Sequence, residues 1–232
     1  MAELKVFTWL AGKFIVLDGL DGSGKSTQLD MLEQSINKAG GKAIRVREPG
    51  GTTIGEHIRE VLLSSKGEGM DIRAEMLLYM ASRAQLVQER IKPALVAGQT
   101  VLSDRFLSST LAYQGAAGGL PVEAILEVGK VALDGVWPDL TIILDLPAED
   151  AMARLQSPGK GKKTGTLQVG LFQDRIERRK VDYHRQVREG FLAQSRRFPD
   201  CYRVISALDS KAKVQSNIAA ILTDFFRAQE VS

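Results

Sequence analysis

The stretch FIVLDGLDGSGKSTQL, from Phe14 to Leu29, decides the fold of this chain. An apolar run with the character of a buried strand leads into a glycine-rich turn, and an amphipathic helical pattern follows directly. This context separates a phosphate-binding loop from a chance match to its pattern, G-x-x-x-x-G-K-[ST]. The residues that fit the pattern are Gly19, Gly24, Lys25 and Ser26. A turn that binds no ligand is the alternative, and the presence of all four residues in this context disfavours it.

The chemistry of such a loop explains its residue types. Glycines let the backbone turn so that its N–H groups converge on phosphate oxygens. The amino end of the following helix adds partial positive charge. Lys25 is expected to reach the β- and γ-phosphates of a nucleotide, and Ser26 to place its hydroxyl on Mg²⁺. The loop therefore predicts nucleotide phosphates, and the reaction must be inferred from other residues.

Composition narrows the class of protein. A chain of 232 residues suits one α/β domain or two small ones. The single cysteine, Cys201, excludes an internal disulfide framework and is interpreted as a buried thiol. No apolar run approaches the roughly 20 residues of a membrane span, and the apolar stretch Val6–Ala11 lacks a basic leader. We expect a cytoplasmic protein without a membrane partner.

The net charge of +3 is unevenly distributed. Between Arg154 and Arg188 only three acids, Asp174, Glu177 and Asp182, oppose a basic cluster made of Lys160, Lys162, Lys163, Arg175, Arg178, Arg179, Lys180 and Arg185. Such a cluster can bind nucleic acid or the phosphates of a small nucleotide. Because the cluster has no interleaved aromatic platform and the chain has a phosphate-binding loop, we expect a small nucleotide and no nucleic acid partner.

Predicted strands and helices alternate along the whole chain, which indicates an α/β fold with about five parallel strands and helices on both faces. The predicted strands are Phe14–Leu17, Ala43–Val46, Thr100–Ser103, Leu140–Leu144 and Tyr202–Ile205. The predicted helices are Lys25–Ala39, Ile54–Leu63, Ala74–Ala97 with a bend near Pro93, Ser108–Gln114, Val122–Leu133, Ala148–Leu155, Gln173–Ser195 and Val214–Ala228. Ligands of such sheets bind at the carboxyl ends of the strands. Residues expected at that edge are Asp18, Arg47, Asp104 and Asp145.

Two adjacent residues at this edge have the chemistry of a phosphoryl-transfer site. Asp104 ends the apolar strand VLSD, where an acid of a phosphate-loop protein holds Mg²⁺ directly or through water. A helix N-cap is the alternative role. Arg105 can bind a phosphate with two parallel hydrogen bonds, and a surface ion pair is its alternative role.

Several segments together resemble thymidylate kinases of the bacterial type. DRFLSSTLAYQG, from Asp104 to Gly115, is similar to the family signature, with Phe106 where tyrosine or histidine is common. The other matching segments are GLDGSGKST in the loop, REPGGT at Arg47–Thr52, AEMLLYMASR at Ala74–Arg83, IKPAL at Ile91–Leu95 and DRIE at Asp174–Glu177. The resemblance covers nearly the whole chain, and the segments occur in the family order.

The resemblance implies the P-loop fold of nucleoside monophosphate kinases and ATP-dependent phosphorylation of thymidine monophosphate to the diphosphate, in dTTP synthesis. It also implies one domain over residues 1–232 with a lid at about 156–172, Mg²⁺ as cofactor, and a homodimer formed through helices that flank the sheet. Residues implied for ATP are Gly19, Leu20, Asp21, Gly22, Ser23, Gly24, Lys25, Ser26, Thr27 and Arg154, with Ser26 and Asp104 at the metal.

For thymidine monophosphate, the resemblance implies that Tyr79 stacks on the base and that Arg83, one turn later, reads a base carbonyl. The other implied contacts are Thr110 and Gln114 near the base edge and deoxyribose, Arg59 and Arg105 on the monophosphate, and Glu48 near the sugar. Asp21 is implied near the sugar 3′-hydroxyl and the metal waters. The implied catalytic residues are Lys25, Arg105, Asp21 and Arg175.

The sequence departs from the family at two places. Gly22 stands where some thymidylate kinases have a catalytic arginine, so the charge is expected from the lid, Gln156–Phe172, or from Arg175, whose role is either catalytic or structural. The leader Met1–Lys13 is longer than usual and is either mobile or packed on a sheet edge. Alternative functions are another nucleoside monophosphate or deoxynucleoside kinase, or a nucleotide switch, which the lack of a complete N-K-x-D motif at Asn37 disfavours.

Overall fold

The computed structural model describes residues 8–64, 69–156 and 181–229 of the chain. Its centre is one sheet of five parallel strands in the order β2-β3-β1-β4-β5. The strands are β1 (Phe14–Asp18), β2 (Ala43–Arg47), β3 (Thr100–Asp104), β4 (Leu140–Asp145) and β5 (Tyr202–Ser206). The predicted α/β fold with about five parallel strands is confirmed, and all five strands start where the sequence predicted and extend one residue further.

The central strand β1 explains why its sequence is apolar throughout. All five of its residues are buried, because helices cover both faces of the sheet. Ile15 and Leu17 face one hydrophobic cluster, whereas Phe14 and Val16 face the other. The alternation of side chains along a strand therefore divides this apolar run between two cores.

Helices surround the sheet. In the described residues they are α1 (Lys25–Lys38), α2 (Thr53–Leu63), α3 (Ile72–Leu86), α4 (Lys92–Val96), α5 (Leu107–Thr110), α6 (Val122–Leu133), α7 (Ala148–Gln156), α8 (Val181–Arg197) and α9 (Lys211–Gln229). The prediction for α6 matches at both ends. The start of α2 is set by Thr52, whose side chain accepts a hydrogen bond from the backbone N–H of Gly55. Residues 173–180 of the predicted helix Gln173–Ser195 lie outside the described residues.

Two predicted helices contain π-helical turns. The long pattern Ala74–Ala97 is divided by the π segment Val87–Ile91 between α3 and α4. This segment ends two residues before Pro93. Proline has no backbone N–H, and in a regular helix its ring would clash with the carbonyl group four residues earlier. A second π segment, Leu111–Ala116, continues α5 and takes in the end of the predicted helix Ser108–Gln114.

The described part of the leader packs against the amino ends of the strands. The carbonyl oxygen of Leu10, which is fully buried, accepts a hydrogen bond from Thr100 Oγ1 at 2.6 Å. The backbone N–H of Gly12 donates to the carbonyl of Gly98. Leu10 and Gly12 of the leader are therefore packed, but they lie against the start of the inner strand β3 and not on an edge strand. Within the described ranges, no helix combines the length and the apolar character needed to cross a bilayer.

Candidate active site

The phosphate-binding loop joins β1 to α1 and is held by its own lysine. Lys25 Nζ donates to the carbonyl oxygens of Gly19 at 3.1 Å and Leu20 at 2.9 Å. The hydroxyl of Ser23 is buried and has no hydrogen-bond partner in the described residues. A buried hydroxyl without a partner is costly, so this atom is suited to an incoming phosphate oxygen. Burial lowers the pKa of Lys25, and nearby Arg105 lowers it further against the opposing effect of three carboxylates.

Close backbone contacts explain two of the loop glycines. A Cβ on Gly19, whose φ is +136°, would lie 2.5 Å from the carbonyl oxygen of Leu144 in β4. A Cβ on Gly22, whose φ is +82°, would lie 2.9 Å from the carbonyl oxygen of Ala151 in α7. Both distances are too short for a side chain, so the position of Gly22 has no room for the arginine that some family members carry there.

Arg154 on α7 connects the same loop to the region after β5. Its guanidinium donates to the carbonyl oxygen of Gly22 at 3.3 Å and to that of Ala207 at 2.9 Å. The guanidinium of Arg154 therefore lies beside the phosphate-binding loop. The basic residues predicted for the lid and its flank, Lys160, Lys162, Lys163 and Arg175, lie outside the described residues.

Ser26 and Asp104 meet at the mouth of the loop. Ser26 Oγ donates a hydrogen bond of 2.7 Å to Asp104 Oδ2, although 78 residues separate them in the sequence. Among the described residues, no group of three or more His, Cys, Asp or Glu side chains could hold a metal by itself. One hydroxyl and one carboxylate nevertheless fit Mg²⁺, which takes few protein ligands and completes its shell with phosphate oxygens and water.

Arg105 is the centre of the site's charge network. It has a left-handed backbone, with φ of 71°, which is uncommon for a residue other than glycine. Its guanidinium contacts Asp21 Oδ1 at 2.6 Å and Asp18 Oδ1 at 3.3 Å, and it also donates to Ser109 Oγ at 2.8 Å. The strained backbone thus aims a largely buried arginine between two carboxylates.

The charges of this network shift the pKa values of its members. Burial raises the pKa of Asp21, but the charges of Arg105 and Lys25 outweigh it and lower the pKa to about 2. Asp18 is fully buried, and burial raises its pKa despite the opposing charge of Arg105. The carboxylates in turn raise the pKa of Arg105 well above its usual value, against the effect of burial. The arginine is therefore positively charged at any working pH.

Asp18 is a site residue that the sequence reasoning placed at the right edge without giving it a role. Its carboxylate accepts hydrogen bonds from Ser108 Oγ at 2.6 Å and Ser109 Oγ at 2.8 Å, as well as from the guanidinium of Arg105. It therefore fixes the start of the DRF segment against the phosphate-binding loop. An acid at the end of a wholly buried strand was the available signal, because a buried carboxylate requires partners.

A buried ion pair joins the REPGGT loop to α3. The guanidinium of Arg83 makes three contacts of 2.6 to 3.1 Å with the carboxylate of Glu48. The same guanidinium donates to Thr110 Oγ1 at 3.1 Å and lies over the ring of Phe106. Burial raises the pKa of Glu48 to about 7, against the opposing effect of Arg83. Three predicted acceptor residues, Glu48, Arg83 and Thr110, are therefore in direct contact.

Two further predicted residues lie beside this pair. Tyr79 is half-buried on α3, one turn before Arg83. Gln114 Nε2 donates a 2.7 Å hydrogen bond to Glu75 Oε1, and both side chains are buried. Sequence reasoning missed Glu75, although it precedes Tyr79 by four residues, the same spacing that drew attention to Arg83.

The REPGGT loop lies between α2 and α3. Arg59 Nη1 on α2 donates to the carbonyl oxygen of Pro49 at 2.9 Å. The backbone N–H of Gly50 donates to Ser82 Oγ on α3. The loop therefore joins α2 and α3, and it brings Arg59 close to the buried pair formed by Glu48 and Arg83.

Known proteins resemble this chain along most of its length. The family model described as thymidylate kinase matches residues 17–218. A thymidylate kinase of Caldanaerobacter subterraneus subsp. tengcongensis is 38% identical over 222 residues, which are 96% of this chain and 100% of that protein. One of Halothermothrix orenii is 45% identical over 191 residues, covering 82% and 87% of the two chains. The crystal structure of thymidylate kinase from Ehrlichia chaffeensis superimposes with a TM-score of 0.69 at 28% identity, covering 91% of this chain and 98% of that one.

Proposed function

The chain belongs to the thymidylate kinase family, and on that premise we propose that it transfers the γ-phosphate of ATP to thymidine monophosphate, giving the diphosphate and ADP on the route to dTTP. The observation that carries this proposal is the 2.6 Å contact between Asp21 and Arg105. Asp21 belongs to the phosphate-binding loop, and Arg105 opens the segment that faces α3. The ATP side and the acceptor side therefore meet at one charged contact.

ATP would bind along the loop Gly19–Thr27, with Lys25 on the transferred phosphate and Arg154 at the outer end. The buried hydroxyl of Ser23 and the contact of Arg154 with Gly22 support this assignment. Ser26 and Asp104 would hold Mg²⁺ together with the phosphates of ATP. When bound, the ion neutralises charge on the phosphate oxygens.

Thymidine monophosphate would lie between α3 and the segment Leu107–Ala116. Tyr79 would stack on the base, because its half-buried ring lies one turn from Arg83. Arg83, Thr110 and Gln114 would read the base edge and the deoxyribose, and Glu48 would lie near the sugar. Arg59 and Arg105 would bind the monophosphate. Its oxygens would take over some of the N–H groups of Arg105 that now donate to carboxylates.

Catalysis in this arrangement depends on position and charge. The acceptor phosphate has a second pKa of about 6, so it is largely dianionic near neutral pH and needs no strong general base. Lys25 and Arg105 would neutralise charge during an in-line transfer. The lid at about 156–172 would exclude water, and Arg175 or the lid lysines Lys160, Lys162 and Lys163 would supply the charge that Gly22 cannot.

A coupled assay with Mg²⁺-ATP and each nucleoside monophosphate tests the function. We expect thymidine monophosphate to have a clearly higher kcat/KM than uridine, cytidine, adenosine or guanosine monophosphate. Equal use of uridine or cytidine monophosphate would contradict the assignment. Substitution of all three lid lysines by alanine tests their role, since unchanged turnover would mean that the charge comes from Arg175 or from another residue.

We also propose that residues 1–232 form one domain and that two copies associate through helices flanking the sheet. Supporting this, three neighbouring helices expose large apolar side chains on their outer faces, and these are Ile54 and Val61 on α2, Leu77 on α3 and Val131 on α6. A shared face would remove this apolar surface from water. The cytoplasm, where the nucleotide substrates are found, is the proposed location.

A further inference from the structure

Two hydrogen bonds connect α3 to the segment Leu107–Ala116, on either side of Tyr79. Glu75, Tyr79 and Arg83 follow each other at intervals of four residues and so share one face of α3. Arg83 Nη2 donates to Thr110 Oγ1 at 3.1 Å, and Gln114 Nε2 donates to Glu75 Oε1 at 2.7 Å. A base stacked on Tyr79 would therefore lie between these two connections.

The contact with Glu75 fixes the orientation of the Gln114 amide. A carboxylate has only acceptor oxygens, so the NH₂ group of Gln114 must face Glu75 and its carbonyl oxygen must face away. Glu75 is 1% exposed and Gln114 is 2% exposed, so water does not compete for this bond. Gln114 therefore turns its acceptor, Oε1, away from Glu75, and Glu75 holds one of the two N–H groups of its amide.

This orientation has a consequence for base recognition. Arg83 has only N–H donors, and Gln114 has its carbonyl oxygen on the side away from Glu75. A donor beside an acceptor matches the O4 carbonyl and the N3–H group of thymine or uracil. Cytosine has the reverse pattern, with an amino donor at position 4 and an unprotonated acceptor at N3. Cytosine would place its amino donor against the donors of Arg83 and its N3 acceptor against the carbonyl oxygen of Gln114. These buried polar groups would then be left unpaired.

We propose that Glu75 is a positioning residue that sets the pyrimidine selectivity of the acceptor site by holding the Gln114 amide with its carbonyl oxygen toward the base. The proposal rests on the proposed function. Glu75 acts through Gln114 and does not itself contact the substrate. It selects bases with an N3–H group and does not distinguish thymine from uracil.

The test replaces Glu75 by glutamine, which has nearly the same shape but has both a donor and an acceptor. In Glu75→Gln the amide of Gln114 can turn over and present its NH₂ group to cytosine. We expect the ratio of kcat/KM for dTMP to that for dCMP to fall about tenfold to a hundredfold. The ratio for dTMP to dUMP should stay within twofold. Both ratios are measured on one preparation, so a loss of folded protein cancels.

A paired swap and a surface control complete the design. In Glu75→Gln with Gln114→Glu, a carboxylate at position 114 again presents an acceptor to the base, and the dTMP/dCMP ratio should recover. Glu127→Gln, on the exposed face of α6, removes a similar charge far from the site and should leave both ratios unchanged. An unchanged dTMP/dCMP ratio in Glu75→Gln, an equal fall in the dTMP/dUMP ratio, or no recovery in the swap would each overturn the proposal.

Calorimetric binding of dTMP, dUMP and dCMP to the same proteins separates this inference from the proposed function. Binding selectivity does not require turnover. Selective binding of dTMP and dUMP that Glu75→Gln abolishes, in a chain without kinase activity, would support the role of Glu75 and refute the function. Kinase activity on dTMP with full selectivity in Glu75→Gln would do the opposite.

Discussion

A single methyl group added at Gly190 should destabilise the protein, because α8 lies unusually close to the segment Leu107–Ala116. A Cβ at position 190 would lie 2.6 Å from Cβ of Ala116 and 3.1 Å from Cα of Ala112. Favourable carbon–carbon contacts are about 3.5–4.0 Å, so α8 would have to move by about 1 Å. Alanine is otherwise the better helix former by up to about 1 kcal/mol, so without this contact Gly190→Ala would stabilise α8.

The magnitude follows from these two opposing effects. Inserting a methyl group into a packed interior costs about 1–3 kcal/mol, and a contact as short as 2.6 Å belongs in the upper part of that range, at about 2–3 kcal/mol. After the gain in helix propensity, the free energy of unfolding should fall by about 1–2 kcal/mol. For a chain of 232 residues this lowers the Tm by about 2–8 °C. The KM for the monophosphate should also rise, since Tyr113 and Gln114 lie between the two contacted alanines.

Calorimetric unfolding of Gly190→Ala, with urea denaturation as a second measure, provides the assay. A matched variant combines Gly190→Ala with Ala116→Gly and so moves the methyl group from one side of the contact to the other. This double variant should be more stable than the sum of the two single effects predicts. A Gly190→Ala protein that unfolds at or above the wild-type temperature would refute the close packing of α8.

Three further predictions concern the charge network and the proposed interface. Arg105→Ala should lower turnover by about a hundredfold or more while leaving ATP affinity, measured by fluorescence titration, nearly unchanged; an equal loss of ATP affinity would contradict its placement on the acceptor phosphate. The pKa of Asp21 is lowered to about 2, so its ionised form stabilises the folded protein at pH values above about 4. This contribution is lost as the pH falls from about 4 through 2. Between about pH 4 and pH 2 the wild type should therefore lose more unfolding free energy than Asp21→Asn does, and parallel acid profiles would refute the shift. Leu77→Glu should convert a sedimenting dimer into a monomer, whereas a dimer unaffected by this charge would exclude the outer face of α3 as the interface.

The sequence predicts this fold well where local pattern and packing agree. The strand–loop–helix unit around Gly19–Ser26 and the amphipathic helix α6 could be assigned from a few residues. The position of Asp104 beside Ser26 also followed, because the carboxyl ends of parallel strands share one edge. In each of these cases periodicity and the rules for parallel sheets contain the necessary information.

Other features depend on contacts between residues far apart in the sequence. No local pattern pairs Glu75 with Gln114, or Glu48 with Arg83 across 35 residues. The left-handed backbone of Arg105 opposes its own intrinsic preference and exists because the surrounding carboxylates and hydroxyls hold it. The π segment before Pro93 likewise results from a conflict between proline and a helix that continues beyond it. Such features follow from the assembled fold.

The two carboxylates around Arg105 also give the site a means of rejecting stray anions. An anion that approaches this guanidinium must compete with Asp21 and Asp18 for its N–H groups. Chloride or free inorganic phosphate competes with these carboxylates only at its concentration in bulk solution. A phosphate that is tethered to a base already stacked on Tyr79 competes at a far higher effective concentration. Cellular salt should therefore inhibit the acceptor site weakly, although the site is built around a cation.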